Sequence, residues 1–181
     1  MEESPDLGAV FDDHVAAELV DCDLHAAMAT MAEDPYVYHV PTMTGGVGTE
    51  QVRRFYGNHF IGNWPEDVEI KPVSRTVDHE QVVDELVISF THTIEMDALL
   101  PGVPPTNKPV RLPFCVVVGF EDGKVKHENI YWDQASLLVQ VGLLDPKGLP
   151  VTGAEQAENL LDRGARPTNE LIREGWAAAS D

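Results

Sequence analysis

The sequence predicts an α+β fold, in which helices come first and a long run of antiparallel strands follows. Three observations support this prediction. Apolar residues recur at three- and four-residue spacings between Val10 and Met31, as they do in an amphipathic helix. Segments rich in β-branched residues and bounded by turn residues dominate the middle of the chain. Asp122-Gly123 separates the last two of these segments, and this dipeptide is a strong hairpin signal.

The first third of the chain is expected to hold two helices with a short strand between them. Pro35 ends the helix over 10–31, because the residue before a proline avoids helical geometry. The strand covers 36–40, and the glycine-rich segment 42–48 is expected to be a flexible loop. Thr49 is the expected N-cap of the second helix, which runs to about residue 59.

The strands and the last short helix follow. The strands are expected over 68–77, 82–95, 110–120 and 125–132, and the helix over 136–141. Side chains alternate between the faces of a strand, which places Asp84 and His92 on the mostly apolar face of the second one. The proline-rich segment 101–109 cannot continue a ladder, so an extended loop is expected there, with Asn107 at positive φ.

The whole chain is expected to be one domain. Residues 1–145 form its main α+β part, and residues 146–181 form a C-terminal helical extension. In this extension, two helical pieces from Gly153 onward are separated by Pro167. No internal repeat and no linker divides the 181 residues, which are enough to bury one sizeable core.

The charge balance excludes several classes of function. Thirty-one acidic residues against 12 basic ones give a net charge of −19, which repels nucleic acids and anionic membranes. No apolar run approaches the ~20 residues that cross a bilayer. The acidic N-terminus does not resemble a signal peptide. Two isolated cysteines fit a reducing compartment, so a cytoplasmic protein is expected.

The chain carries none of the common motifs for nucleotides, metals or nucleophilic catalysis. The glycine-rich segment 45–48 has no suitably placed lysine, so it is better explained as a hinge or lid than as a phosphate loop. Neither a cofactor nor a metal is expected.

Ionisable residues among apolar ones are the candidate catalytic groups. His39 ends an aromatic strand and His92 lies on an apolar face, so each is either an acid/base group or a hydrogen-bonded core histidine. Three carboxylates, Asp84, Glu128 and Asp133, follow as candidates. Asp133 comes directly after Tyr131-Trp132, whose rings would desolvate it, but it could equally cap the following helix. The remaining histidines, His14 among them, are expected to be structural or exposed.

Several residues are candidates for binding a substrate. Arg75 either pairs with a neighbouring carboxylate on the adjacent strand or orients a substrate carbonyl. Tyr56, Trp64 and Tyr131 supply aromatic surface that would suit either a pocket or the core.

Three segments resemble the SnoaL-like polyketide cyclases of the nuclear-transport-factor-2-like superfamily. They are the proline-rich segment 100–108, the Asp122-Gly123-Lys124 hairpin, and Asp133 with the following segment 137–143. Residues 34–41 and 48–56 also resemble the first strand and helix of that family.

This resemblance implies a cone-shaped half-barrel, with N-terminal helices covering a curved antiparallel sheet around a deep pocket. It also implies a homodimer and aldol-type chemistry without a cofactor or metal. In the implied site, Asp133 moves the proton and His39 lines the pocket. The extension beyond residue 145 has no counterpart in the short cyclases, and we expect it to cover the pocket or the dimer interface.

The leading hypothesis is therefore a cofactor-free enzyme that performs cyclisation, isomerisation or dehydration on a small apolar carbonyl compound. Asp133 would transfer the proton, and His39 or His92 would hydrogen-bond the enolate oxygen. One alternative is a non-catalytic dimeric module that binds a hydrophobic molecule. A third hypothesis, a lactone hydrolase, has less support because the chain lacks a nucleophile elbow.

Overall fold

A computed structural model of the chain describes residues 5–172. Its helices are α1 (Leu7–Leu19), α2 (Leu24–Ala29), α3 (Thr49–Phe55), α4 (Gln134–Gln140) and α5 (Glu155–Leu161). Its strands are β1 (Met31–His39), β2 (Thr44–Val47), β3 (Glu69–Val77), β4 (Gln81–Thr91), β5 (Pro109–Glu121) and β6 (Lys124–Trp132). A π-helical turn, Tyr56–Phe60, continues α3. Most of the second predicted tail helix lies outside the described residues.

All six strands form one curved sheet in the spatial order β2-β1-β6-β5-β4-β3. The neighbouring strands are antiparallel except β1 and β6, which pair in parallel. The predicted α+β class and the long antiparallel run are therefore confirmed. One face of the sheet carries the core, to which β5 contributes Val110, Leu112, Phe114, Val116 and Val118 in strict alternation.

The hairpin between β5 and β6 follows the sequence prediction. Asp122 has φ 51° and Gly123 has φ 72°, which is the pair of positive values that a tight two-residue hairpin requires. Asn107 also has the expected positive φ, at 56°. Asp84 and His92 are both buried, as the alternation in β4 predicts, although β4 ends at Thr91, one residue before His92.

The predicted single helix over 10–31 is wrong, because the structure has two helices there. The chain turns after α1 at Cys22, which has φ 50°, and the Asp23 carboxylate then caps α2 by accepting hydrogen bonds from two backbone N–H groups. Strand β1 already begins at Met31. Asp34 has φ 48°, and a register shift before Tyr36 accommodates Pro35 inside the strand as a bulge.

The predicted flexible loop over 42–48 is also partly a strand. Gly45 pairs with Tyr38 of β1, and a Cβ atom at Gly45 would lie 2.0 Å from the carbonyl oxygen of Val37. The glycines therefore permit close packing here. Gly48, not Thr49, is the N-cap of α3, and it makes no side-chain capping hydrogen bond.

The C-terminal extension packs on the sheet through α5, which contacts β5. Ser136 in α4 donates a hydrogen bond of 2.8 Å to the carbonyl of Gly153, so α4 holds the start of the extension. No helix in residues 5–172 has both the length and the apolar character needed to cross a membrane.

Candidate functional site

A cavity of about 590 Å³ lies between α1 and the curved sheet. Its wall is formed by α1, the π-helical turn, every strand except β2, and loop residues that include Trp64 and Leu99. Most of the lining side chains are apolar. This size is in the range of pockets that hold a small organic molecule.

The π-helical turn places two aromatic side chains at the cavity. Tyr56 and Phe60 both line it, and their ring centroids are 5.6 Å apart. Turns of this kind interrupt the regular α-helical spacing and often occur at functional sites. The Tyr56 hydroxyl, at the start of this turn, reaches β6 and donates a hydrogen bond of 2.7 Å to Glu128 Oε2.

Four buried polar side chains form a cluster at this point, and three of them, Glu18, Tyr56 and Glu128, line the cavity. The cluster consists of His14 and Glu18 from α1, Tyr56, and Glu128 from β6, and we call it the His14 cluster. His14 Nε2 lies 3.1 Å from Glu18 Oε1, 3.5 Å from Glu128 Oε2 and 3.3 Å from the Tyr56 hydroxyl. One imidazole nitrogen therefore faces two carboxylates and a phenol.

The other nitrogen of His14 is held by Thr30. The Thr30 hydroxyl donates to the carbonyl of Ala27 at 2.7 Å, so it accepts a hydrogen bond from His14 Nδ1–H at 2.6 Å. This arrangement fixes the ring orientation and leaves Nε2 directed at the carboxylates.

The protonation of the cluster follows from these distances. Burial alone would lower the pKa of His14, but Glu18 and Glu128 outweigh it, and the pKa lies well above its ordinary value. Burial raises the pKa of Glu18 despite the nearby imidazole. Burial also acts to raise the pKa of Glu128, but His14 and Tyr56 together hold it below its ordinary value. Glu18 is therefore a weaker acid than an ordinary glutamate, and Glu128 is a stronger one.

The same cluster supplies a possible set of metal ligands. His14, Glu18 and Glu128 each offer an atom within 4.8 Å of the others. A cation would need the lone pair of His14 Nε2, which is the position that a proton occupies in the imidazolium form. The imidazolium thus provides the positive charge that the two carboxylates require.

A second polar group lies where β3 and β4 face α1. Arg75 donates two hydrogen bonds of 2.7 Å to Asp84 and lies 2.9 Å from Asp12 of α1. Its guanidinium also lies 5.7 Å from the centre of the Phe11 ring. The Asp84 side chain holds the pKa of Arg75 above its ordinary value. Arg75 therefore ties α1 to the sheet beside the cavity.

A family model for the SnoaL-like domain matches residues 11–128, well over half of the chain. The chain belongs to the SnoaL-like family. No curated protein matches it. The resemblance that the sequence motifs indicated is confirmed.

Solved structures of other proteins share the fold. A candidate SnoaL-like polyketide cyclase from Jannaschia sp. CCS1 is 16% identical, with a TM-score of 0.61 over 80% of this chain and 99% of that one. A Catenulispora acidiphila protein with a ketosteroid isomerase-like fold is 16% identical, with a TM-score of 0.54 over 78% and 96%. SalBIII, an epoxide hydrolase/cyclase-like enzyme, is 15% identical, with a TM-score of 0.54 over 74% and 95%. These likenesses establish the cone-shaped fold of this SnoaL-like protein.

Six of the nine predicted site residues line the cavity. They are His39, Tyr56, Trp64, Arg75, Asp84 and Glu128. Arg75 and Asp84 pair with each other, which was the ion-pair alternative for Arg75. The other three, Asp133, His92 and Tyr131, do not line the cavity.

Asp133 lies outside the cavity because it begins α4. Its Oδ1 accepts hydrogen bonds from the backbone N–H groups of Ala135 and Ser136, and its Oδ2 accepts one of 2.6 Å from Gln156. Both oxygens are thus occupied by structural contacts. This is the capping alternative, so we do not assign proton transfer to Asp133.

His92 and Tyr131 also lie outside the cavity lining. His92 Nδ1 is 3.1 Å from the Thr106 hydroxyl and accepts a hydrogen bond of 3.3 Å from the Thr106 N–H, so it holds the loop after β4. Tyr131 is 43% exposed. Neighbouring residues alternate between faces, so Tyr131 is directed away from the face that carries Glu128, Ile130 and Trp132.

His14 and Glu18 were not among the predicted site residues. They lie on the same face of α1 as Leu7 and Phe11, with a spacing of four residues between them. An ionisable pair on the apolar face of an amphipathic helix is the sequence signal that could have identified them.

Proposed function

We propose that this SnoaL-like protein is a cofactor-independent enzyme that moves protons on a small, largely apolar carbonyl compound. The reaction would be an aldol cyclisation, an isomerisation or a dehydration. The observation that carries the proposal is the His14 cluster, three of whose members line a mostly apolar cavity. Such a cavity favours an apolar molecule, and the few polar groups orient it. As partners we propose this ligand and a second copy of the chain.

Glu18 is the group to which we assign proton transfer. Its Oε1 is buried and, among the described residues, has no hydrogen-bond partner of good geometry. Burial raises its pKa, which makes its carboxylate a stronger base near neutral pH. It would take a proton from the carbon beside a carbonyl, while the C–H electron pair forms a C=C bond and the carbonyl π pair moves to the oxygen, which gives an enolate. The neutral carboxyl would then return the proton at another atom.

His14, Glu128 and Tyr56 would position Glu18 and balance its charge. The His14 imidazolium lies 3.1 Å from Glu18 Oε1 and stabilises negative charge at this wall of the cavity. Glu18 itself and Glu128 keep the imidazole protonated, and Tyr56 donates to Glu128. A buried charge is costly without such partners, so the cluster keeps an ionisable acid inside an apolar cavity.

The family is consistent with this proposal without determining the reaction. SalBIII is described as having a role in pyran ring formation in the polyether salinomycin. At this level of identity the likeness concerns the fold, and the chemistry must come from the residues of each site. Glu18 and His14 are therefore the residues to test.

Exchange of α-protons for deuterium provides a test that needs no natural substrate. We expect the protein to accelerate exchange at C2 of 1-tetralone and 6-hydroxy-1-tetralone in D₂O, measured by NMR. Glu18→Gln should reduce the accelerated rate by roughly 10²–10⁴-fold, the usual contribution of a positioned acid or base. Dialysis against EDTA should leave the rate unchanged.

Asp133→Asn is the matched carboxyl-to-amide control. Asparagine is also a good N-cap, so α4 should keep its start and the exchange rate should stay at the wild-type level. A full loss of rate in Asp133→Asn, or none in Glu18→Gln, would contradict the assignment. Binding of both ketones without any exchange would instead favour a non-catalytic binding module, which the mostly apolar lining of the cavity also suits.

A further inference from the structure

Two aromatic residues of the cavity wall each carry a buried ring nitrogen without a hydrogen-bond partner. Among residues 5–172, neither His39 Nδ1 nor Trp64 Nε1 has a partner. Both residues line the cavity. A buried polar atom without a partner is costly, and few such atoms occur in a folded protein. These two atoms therefore indicate what a bound molecule must offer.

His39 offers a hydrogen-bond acceptor. Burial lowers its pKa from 6.5 to about 4, so the ring is neutral at neutral pH. A neutral imidazole has one N–H and one lone pair. We assign the lone pair to Nδ1, the ring nitrogen that has no hydrogen-bond partner among the described residues. The complementary group on a ligand is a hydroxyl.

Trp64 offers a hydrogen-bond donor. An indole N–H can only donate, so its complement is an oxygen acceptor such as a carbonyl or ether. The ring lies against Phe60 and Phe90 in edge contacts, with centroid distances of 5.7 and 6.3 Å. These contacts restrict the orientation of the N–H.

One bound molecule can form hydrogen bonds with both nitrogens. The rings of His39 and Trp64 both contact Phe60, at centroid distances of 5.5 and 5.7 Å, so the distance between them is at most these two combined. Val37, two residues before His39 in β1, pairs with Glu128 of β6, so His39 lies near the His14 cluster. A ring system of two or three fused rings spans such a distance and fits a cavity of about 590 Å³.

We propose that the cavity takes a hydroxylated cyclic ketone or ether, with a hydroxyl that donates to His39 Nδ1 and an oxygen that accepts from the Trp64 N–H. This inference rests on the function proposed above, because it names the substrate class of the same cavity. Its test measures binding alone. The substrate class can therefore be wrong although the protein catalyses proton exchange, and it can be right although the protein catalyses none.

Four bicyclic probes separate the two hydrogen bonds. Tetralin has neither group, 1-tetralone has only the carbonyl, 5,6,7,8-tetrahydro-2-naphthol has only the hydroxyl, and 6-hydroxy-1-tetralone has both. We expect wild-type affinity, measured by calorimetry, to rise by about threefold to tenfold for each group added. Equal affinity for all four probes, or no binding at their solubility limits, would overturn the proposal.

Variants assign each gain to its residue. In His39→Leu, adding the hydroxyl to a probe should no longer raise its affinity, while adding the carbonyl still should. In Trp64→Phe, adding the carbonyl should no longer raise the affinity, while adding the hydroxyl still should. His39→Asn supplies an amide oxygen as acceptor and should restore part of the hydroxyl gain. His79→Phe, at an exposed histidine outside the cavity, should behave as wild type. A hydroxyl gain that persists unchanged in His39→Leu, with circular dichroism showing a folded protein, would refute the role of His39.

Discussion

Two buried histidines in this protein have opposite protonation states because their neighbours differ. His14 faces the carboxylates of Glu18 and Glu128, which raise its pKa well above the ordinary value. His39 is packed among the aromatic rings of Phe55, Phe60 and Trp132, and burial lowers its pKa to about 4. One imidazole therefore supplies a positive charge at the cavity, and the other supplies a neutral acceptor.

The depressed pKa of His39 predicts a pH dependence of stability. Between pH 6.5 and about 4, the unfolded state binds a proton at His39 that the folded state does not, so stability is lost as the pH falls. The full loss is about 3 kcal/mol, from the size of the pKa shift. His14, whose raised pKa keeps it protonated in the folded state throughout this window, adds a slope only near pH 6.5, where the unfolded state is partly deprotonated, and this slope is common to wild type and a His39 variant.

Urea unfolding of wild type and His39→Leu at pH 6.5 and 4.5 measures this effect. The variant should lose clearly less free energy of unfolding over this step than the wild type. Glu18, whose pKa burial raises, acts in the opposite direction but is common to both proteins. Parallel losses in the two proteins would show that His39 does not titrate as proposed.

Single residues also show why the sequence predicted the site only in part. Tyr56 was named for its aromatic surface and Glu128 as one of the candidate carboxylates, and both line the cavity. Asp133 was given the catalytic role through the resemblance, yet its oxygens cap α4 and bind Gln156, a residue 23 positions later. Such a long-range contact has no signal in local sequence, so the sequence alone left both the capping and the catalytic role of Asp133 open.

At the scale of elements, α1 forms the wall of the cavity that faces the sheet. It contributes Phe11, Val15 and Glu18 to the lining, and Arg75 of β3 holds it. Arg75 reaches Asp84 on one side and Asp12 on the other, with a further contact of 3.3 Å to the carbonyl of Gly8. The position of Glu18 in the cavity thus depends on an ion pair outside the His14 cluster.

Arg75→Met should destabilise the protein more than Asp12→Asn. The methionine would leave the buried Asp84 carboxylate without its partner, and because Arg75 is itself partly exposed we expect a loss of about 2 kcal/mol rather than the larger values of fully buried pairs. The Asp12 side chain is 65% exposed, so its removal should cost at most ~0.5 kcal/mol. Urea unfolding at neutral pH measures both, and equal losses would mean that Asp84 is not the important partner.

The elements themselves were predicted where their signals are local. The β5–β6 hairpin follows from Asp122-Gly123, and the burial of Asp84 follows from alternation. The break between α1 and α2 was missed, because apolar residues continue at helical spacing through the turn at Cys22. Strand β2 was missed because glycine favours a loop in isolation, whereas here it permits contact with Val37.

At the scale of the whole molecule, the cavity is lined both by α1 and by almost the entire sheet. A ligand that binds there contacts elements distant in sequence, so its binding should stabilise the complete fold rather than one segment. The homodimer implied by the resemblance stays a prediction, which light scattering on the full chain can measure.

This argument predicts that filling the cavity should abolish ligand stabilisation without harming the fold. With 6-hydroxy-1-tetralone at about 100 times its dissociation constant, the stability should rise by about 2.7 kcal/mol, which corresponds to roughly 5–10 °C in melting temperature. Val116→Phe adds a ring to a side chain that already lines the cavity, so the protein should melt at or above the wild-type temperature and show almost no shift with the probe.

Val117→Phe provides the matched control, because Val117 is the next residue of β5 and is directed to the opposite face of the sheet. It should keep the probe-induced shift. Differential scanning fluorimetry over a series of probe concentrations measures all three proteins. A shift that survives in Val116→Phe and disappears in Val117→Phe would place the binding site on the outer face, because only a ligand inside the cavity competes with the new ring at position 116.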